Sequence, residues 1–369
     1  MTTTPINKGQ FTLETPERAH AFECNRGAGV EADYAENRRL WTQLAQGQVV
    51  SDMPLHVDLE LASVCNLRCP MCYTISDDFR KHVNATIMDG ALFRRLIDEC
   101  AAGGVYSIRL SFRGEAFLHP DIVELTRYAK QAGIREVSTL TNGARMDVAM
   151  FGEMMEAGLD WVTFSIDGIG KTYEEIRRPN KFDDMVAKLT AFAAIKRRAG
   201  RVKPVVKVQS ILPAIEANPQ EFYDIFAPIS DMVSANPLID FLQDKRALPK
   251  IPDFSCPQIY QRLVIGADGL AMMCSNDEKG EFIVGDANKQ SLRAIWHGPE
   301  MMRARDVHRR HCGAAELEPC AKCYLPLEVR DETVVLDGRV VTAQKYVSGV
   351  EKVSQLNTPE RWKRKGLEA

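Results

Sequence analysis

The sequence predicts an α/β protein: a partial (β/α)6 TIM-like barrel followed by a small C-terminal domain. Three observations predict it. Strand-like and helix-like stretches alternate between residues 56 and 236, which implies right-handed βαβ crossovers and a parallel sheet. That length holds six such units and not eight, so an open barrel is expected rather than a closed (β/α)8 one. Beyond residue 236 the pattern changes to short strands, glycines and cysteines.

The first strand is the alternating run from His56 to Ala62. Leu92, Phe93, Leu96, Ile97 and Cys100 share one helical face, and Gly103-Gly104 stops that helix. Strand Tyr106 to Phe112 and a helix from Ile122 to Ala132 follow. Next come strand Glu136 to Leu140, a helix from Met146 to Ala157, and strand Trp161 to Ile166. A helix from Phe182 to Ala199, strand Val205 to Leu212, a helix from Pro219 to Phe226 and strand Met232 to Ala235 complete the six units. An amphipathic helix, Tyr34 to Leu44, is expected to pack on the barrel or cover one of its ends. The expected division is an extension over 1–50, the barrel over 51–236, a proline-punctuated connector over 237–255, a cysteine domain over 256–328 and a tail over 329–369. The tail holds a hairpin signal, Val334 to Val341 around Asp337-Gly338. A charged helix-like stretch is expected from Glu360 to Lys365.

Composition bounds the function. The chain has 369 residues, 45% of them apolar, and a net charge of −3. No basic field points to nucleic acid, and no apolar run is long enough to span a bilayer. Ten cysteines without a secretion signal point to a reducing cytoplasm and to metal ligands rather than a disulfide frame.

Cys65, Cys69 and Cys72 are spaced C-x3-C-x2-C directly behind the first strand. Three thiolates this close can hold three irons of a [4Fe–4S] cube and leave the fourth iron open. A zinc ion would need a fourth ligand, and none is near in sequence. Disulfides would leave one of the three unpaired.

This arrangement resembles the radical S-adenosylmethionine superfamily over about residues 55 to 326. The resemblance implies that the open iron chelates S-adenosylmethionine (SAM) and that a 5′-deoxyadenosyl radical abstracts hydrogen from an unactivated C–H bond. Arg113-Gly114-Glu115-Ala116 matches in position the family's Gly-Gly-Glu-Pro segment, so Gly114 and Glu115 are expected to hold the cofactor's ammonium. Arg113 and Ala116 depart from the common letters. Ser165 and Asp167, at the end of the fourth strand, resemble the ribose and carboxylate segment. Arg177 is expected to pair the methionine carboxylate. Tyr73 either flanks the adenine or packs, and Gln209 is a cofactor or substrate contact.

A second set, Cys256, Cys274 and Cys320-Ala321-Lys322-Cys323, surrounds a hairpin from Arg262 to Met273. It resembles the auxiliary-cluster domain called twitch, a shortened relative of SPASM. No cysteine follows Cys323, so one auxiliary [4Fe–4S] cluster is expected, with a four-cysteine zinc site as the bland alternative. Cys100 reads as core and Cys24 as unremarkable. Cys312 is either a hydrogen donor or a spare thiol, and His119 reads as structural.

The relatives implied by this resemblance suggest oxidation of a secondary alcohol on a sugar or aminocyclitol, with the auxiliary cluster as electron acceptor. Epimerisation with Cys312 as hydrogen donor is the alternative. Maturation of a ribosomal peptide ranks behind these, and an iron–sulfur electron-transfer protein is the non-enzymatic reading. The implied partners are a carbohydrate-like small molecule and an electron donor such as flavodoxin or ferredoxin.

Overall fold

A computed structural model describes residues 2, 4–6, 8, 11–241 and 243–356; the stretch from Glu360 to Lys365 lies outside them. The strands, in chain order, are β1 (Phe11–Thr12), β2 (His56–Leu59), β3 (Ser107–Arg109), β4 (Glu136–Thr141), β5 (Trp161–Ser165), β6 (Val205–Ile211), β7 (Met232–Asn236), β8 (Arg262–Ile265), β9 (Leu270–Met272), β10 (Ile283–Asp286), β11 (Val329–Leu336) and β12 (Arg339–Tyr346). The first ten form one sheet in the order β1-β7-β6-β5-β4-β3-β2-β8-β9-β10. Neighbours from β2 to β7 pair parallel throughout, as six successive βα units require. The sheet does not close, since β1 and β10 form its two edges.

The strands hold their places because one face is uniformly apolar. Val57, Ile108, Val137, Val162 and Val208 are fully buried beneath the connecting helices, where Phe151 stacks on Phe192 with ring centroids 4.3 Å apart. Burying such a side chain contributes about 1.5–3 kcal/mol. Helix starts are set by local chemistry. The Asp89 carboxylate accepts from the N–H groups of Ala91 and Leu92, and that of Asp147 accepts from Met150 N–H. The opposite strand face is polar and lines the barrel interior.

Three features go beyond the sequence pattern. A helix over Pro16–Gly27, capped by Thr15, joins the helix Glu31–Gln46. Both cover the end of the barrel away from the cysteine loop. There Arg26 forms a two-pronged bond to Glu136 at 2.8 and 3.0 Å and lies over the Trp161 ring. The two-residue strand β1 pairs antiparallel with β7 and seals that edge. The cysteine-domain hairpin does not stand apart, because β8 pairs parallel with β2. The tail hairpin is as expected: Asp337 and Gly338 have φ of 49° and 71°, the geometry of a type I′ turn.

Candidate functional site

Cys65, Cys69 and Cys72 sit in the loop beyond the C-terminal end of β2, where ligands gather in parallel βα folds. Leu67, Cys69 and Met71 pack with Ile176, Leu238 and Leu356, so the loop rests on an apolar bed. Burial pushes the Cys65 thiol up to about 12, with Cys72 adding repulsion. A metal that binds the thiolates overcomes that penalty.

Gly114 fixes the loop beside them. A Cβ there would lie 2.3 Å from the carbonyl oxygens of Ala62 and Val64, so only glycine permits this approach. The contact places Glu115 N–H on Val64 O at 2.8 Å. The Glu115 carboxylate is buried and accepts from the Thr141 hydroxyl (2.7 Å), Asn142 N–H (2.8 Å) and Phe117 N–H (3.2 Å). Burial raises its pKa, while those donors and then the Arg177 charge oppose the rise. Three of about four acceptor positions are filled, so one remains for an ammonium. Asn142 is a site residue that sequence reasoning passed over. Its side-chain amide reaches Asn66 Oδ1 at 2.9 Å and lies 3.9 Å from Cys65 Sγ. An Asn-Gly pair after a strand reads only as a turn.

Arg177 lies against Asp167, whose other oxygen accepts from Ile211 N–H at 3.1 Å. The guanidinium is buried, yet Asp167 and a thiolate at Cys69 hold its pKa above the ordinary value. Ser165 and Gln209 are register partners on β5 and β6, and neither side chain is hydrogen-bonded among the described residues. Tyr73 packs with Phe79, Val83 and Phe241. His119 bonds the Met88 carbonyl and the Asp121 amide, a structural role.

Cys256, Cys274, Cys320 and Cys323 line one narrow cavity with Phe254, Asn276 and His308. Burial pushes Cys256 up to about 12 and Cys323 to about 11. No three His, Cys, Asp or Glu side chains among the described residues converge tightly enough for a single metal ion. Four thiols around one cavity nonetheless fit the donor set of an iron–sulfur cube, and equally that of a four-cysteine zinc site. None of the ten cysteines forms a disulfide.

A second, polar cavity shares Cys323 with the first and is lined by Phe241, Gln243, Lys245, Glu278 and Tyr324. Phe241, in its lining, also packs against the cluster of Tyr73, Phe79 and Val83; Cys65, Cys69 and Cys72 do not line it. Burial pushes the Glu278 carboxyl up to about 8, and repulsion from Asp277 adds to it. Arg113 explains its departure from the family letter. It pairs with Glu60, whose side chain is fully buried, and donates to the Glu278 carbonyl at 3.3 Å. Glu60 also accepts from Ala267 N–H. This pair ties the barrel to the cysteine domain. Cys312 is not part of this group: it is exposed, lines neither cavity, and its N–H bonds the Pro252 carbonyl.

An open parallel sheet with a cysteine triad at its mouth and four more cysteines beside it defines a two-centre iron–sulfur protein. The chain belongs to the radical SAM superfamily. Residues 59–206 match that superfamily, and residues 256–324 match the SPASM iron–sulfur cluster-binding domain. These domains imply SAM and [4Fe–4S] clusters of both the radical-generating and the auxiliary kind.

Curated relatives match in part. Fe-coproporphyrin III synthase of Methanosarcina barkeri is 35% identical over 113 residues, 31% of this chain and 27% of that protein. PqqA peptide cyclase of Ruegeria pomeroyi is 36% identical over 115 residues, 31% and 29% of the two chains. GTP 3′,8-cyclase of Chlorobaculum tepidum is 35% identical over 132 residues, 35% and 38%. The chain thus spans well under half the length of these three. Among solved structures, BtrN in complex with AdoMet and 2-DOIA superposes with a TM-score of 0.52 at 15% identity, covering 73% of this chain and 92% of that one. Streptococcus suis SuiB bound to S-adenosylmethionine gives 0.51 at 12%, covering 83% and 82%. These likenesses establish the fold.

Proposed function

We propose that Cys65, Cys69 and Cys72 hold the SAM-binding cube, that Cys256, Cys274, Cys320 and Cys323 hold one auxiliary cube, and that the enzyme oxidises a secondary alcohol of a sugar-like polyol. When bound, these cofactors supply a hydrogen-abstracting radical and a one-electron acceptor. The observation that carries the reading is the polar cavity that shares Cys323 with the second cysteine set and is lined by Phe241, which packs against the Tyr73 cluster next to Cys72 in sequence. The chain's own task is to hold the C–H bond there and to accept the hydroxyl proton. Removing a hydrogen atom, a proton and an electron from a secondary alcohol leaves a ketone. Glu278 lines that cavity and takes the proton only in its ionised form; with its carboxyl pushed up to about 8 by burial, that form grows toward alkaline pH.

The barrel interior pairs Arg26 with Glu136, Arg109 and Arg262 with Asp58, and Arg113 with Glu60; burial lowers the pKa of His56. Lys207 has no carboxylate at ion-pair distance among the described residues, and burial lowers its pKa to about 8. The polar cavity itself is lined by Asp244, Asp277, Glu278 and Glu281 against Lys245, Lys279 and Lys322, a mixed surface that suits a polyol with or without an amine. Against epimerisation stands the exposed position of Cys312. The surrounding reading is a reducing cytoplasm with a flavodoxin- or ferredoxin-type donor. No helix among the described residues is long and apolar enough to cross a membrane.

The test is anaerobic turnover in deuterated water with neutral, acidic and amino sugars. A carbonyl product with 5′-deoxyadenosine, retained in Cys312→Ala, supports oxidation. Deuterium at an inverted carbon, lost in Cys312→Ala, decides for epimerisation.

A further inference from the structure

His308 ends the helix Pro299–His308 and is fully buried between two of the four clustered cysteines. Its Nδ1 lies 3.3 Å from the backbone nitrogen of Cys256, and its Nε2 lies 3.4 Å from Cys320 Sγ. The Cys256 contact favours one tautomer. A backbone N–H can only donate, so Nδ1 facing it is the acceptor, and the proton of a neutral ring sits on Nε2. A ring that accepts at Nδ1 carries a single proton and is neutral. The Nε2–H therefore points at sulfur.

We propose that His308 donates its Nε2–H to the Cys320 sulfur and thereby raises the reduction potential of the auxiliary cluster. The inference rests on the assignment of Cys320 as a cluster ligand. A donor to a ligand sulfur draws off electron density and stabilises the reduced cluster, which carries one more negative charge. His308 is thus a positioning and tuning residue that touches neither SAM nor substrate. Its place differs from that of the other donors in the cavity. Asn276 and Leu325 N–H both reach Cys323, at 3.8 and 3.4 Å. Lys8, Lys245 and Lys250 also act electrostatically on Cys323, and Lys250 on Cys320 as well. Cys320 receives its side-chain hydrogen bond from His308. An auxiliary cluster that must accept an electron from a substrate radical benefits from this tuning.

The Phe254 carbonyl also approaches the ring. A ring protonated at Nδ1 toward that carbonyl would turn the Nε2 lone pair to the sulfur and depress the potential. The sign of the effect therefore decides between the two.

The experiment is an EPR-monitored redox titration of the anaerobically reconstituted full-length protein, wild type against His308→Phe and His308→Gln. Phe fills the space without a donor, and Gln restores an N–H. The expected result for His308→Phe is a lower auxiliary midpoint. At fixed potential the reduced-to-oxidised ratio falls about tenfold, ~59 mV for a one-electron couple. The SAM-binding cluster stays unmoved, and Gln recovers part of the shift. An unchanged or raised auxiliary midpoint with full iron content overturns the inference. A second measurement does not depend on the variants. In wild type labelled with 15N-histidine, the reduced auxiliary cluster should show a weak nitrogen coupling and an exchangeable proton coupling; their absence also overturns it. Zinc in place of a second cube would instead sink the cluster assignment itself.

Discussion

Arg177 and Asp167 form a buried ion pair at the mouth of the barrel, with the guanidinium Nε and Nη2 at 2.8 and 2.6 Å from the same carboxylate oxygen. The helix Gly170–Ile176 lies between them in sequence. Asp167 therefore holds Arg177 toward Cys69 before any ligand arrives. This changes the part expected of Asp167. Its oxygens already serve Arg177 and Ile211 N–H, so it acts on SAM mainly through the arginine. Arg177→Met should weaken SAM binding by roughly 1–3 kcal/mol, the scale of a charge-assisted contact. Asp167→Asn should weaken it less, and the double variant should lose little beyond Arg177→Met. Additive losses by calorimetry would show that Asp167 contacts SAM independently.

Glu115 and Gly114 make separable forecasts. Glu115→Gln removes the charge that would receive an ammonium and puts an NH2 among three donors. SAM affinity should fall by roughly 1–3 kcal/mol. Gly114→Ala acts through shape alone. Its Cβ meets two carbonyl oxygens at 2.3 Å, so the loop must move, at a cost of roughly 1–3 kcal/mol and with weaker SAM binding. Unchanged SAM affinity in Gly114→Ala would show that the loop does not position the ligand.

Cluster content is the direct check on the cysteines. Anaerobic reconstitution should give about eight irons per chain, two cubes of four. Alanine at Cys65, Cys69 and Cys72 should leave about four and abolish 5′-deoxyadenosine. Alanine at Cys320 and Cys323 should leave about four of the other kind. Iron that stays near eight in either variant contradicts the assignment.

Much of this was legible because the chemistry is local in sequence. The C-x3-C-x2-C run and the C-x2-C pair lie within single loops, and the six parallel strands follow from alternation and helix stops. What escaped is long-range. The bond from Glu60 to Arg113 joins residues 53 apart, and the pairing of β2 with β8 joins segments some 200 apart. His308, between Cys256 and Cys320, carries no motif. The helix Pro16–Gly27 was missed because its pattern is weak, with only Phe22, Arg26 and Gly27 buried. The buried Glu60–Arg113 pair has a measurable consequence. Glu60→Gln strips the charge from a fully buried partner of Arg113, and losses of this kind run to roughly 3–5 kcal/mol. Thermal unfolding should register it, together with looser attachment of the cysteine domain. A melting temperature equal to wild type would show that the pair is not the tie.

Lys207, beside Arg26 and Glu23 and outside the lining of the polar cavity, gives a pH test of whether an acidic substrate reaches deep into the barrel. It sits on the inward face of β6, between the fully buried outward-facing Val206 side and Val208. Its nearest charged influences are Arg26, which lowers its pKa further, and Glu23, which raises it. The ammonium is present below about pH 8 and is lost above it. A bound anion would stabilise the charged form and raise that pKa. KM for an acidic sugar should therefore climb between pH 7 and pH 9, while a neutral sugar shows no matching rise. Lys207→Met should raise KM for the acidic sugar about tenfold at pH 7, near 1.4 kcal/mol, and flatten its pH dependence. Lys207→Arg should keep the affinity and also flatten the profile, since guanidinium does not titrate in this range. Equal KM values for acidic and amino sugars, indifferent to pH and to Lys207→Met, would show that the substrate does not reach Lys207, while leaving the radical chemistry untouched.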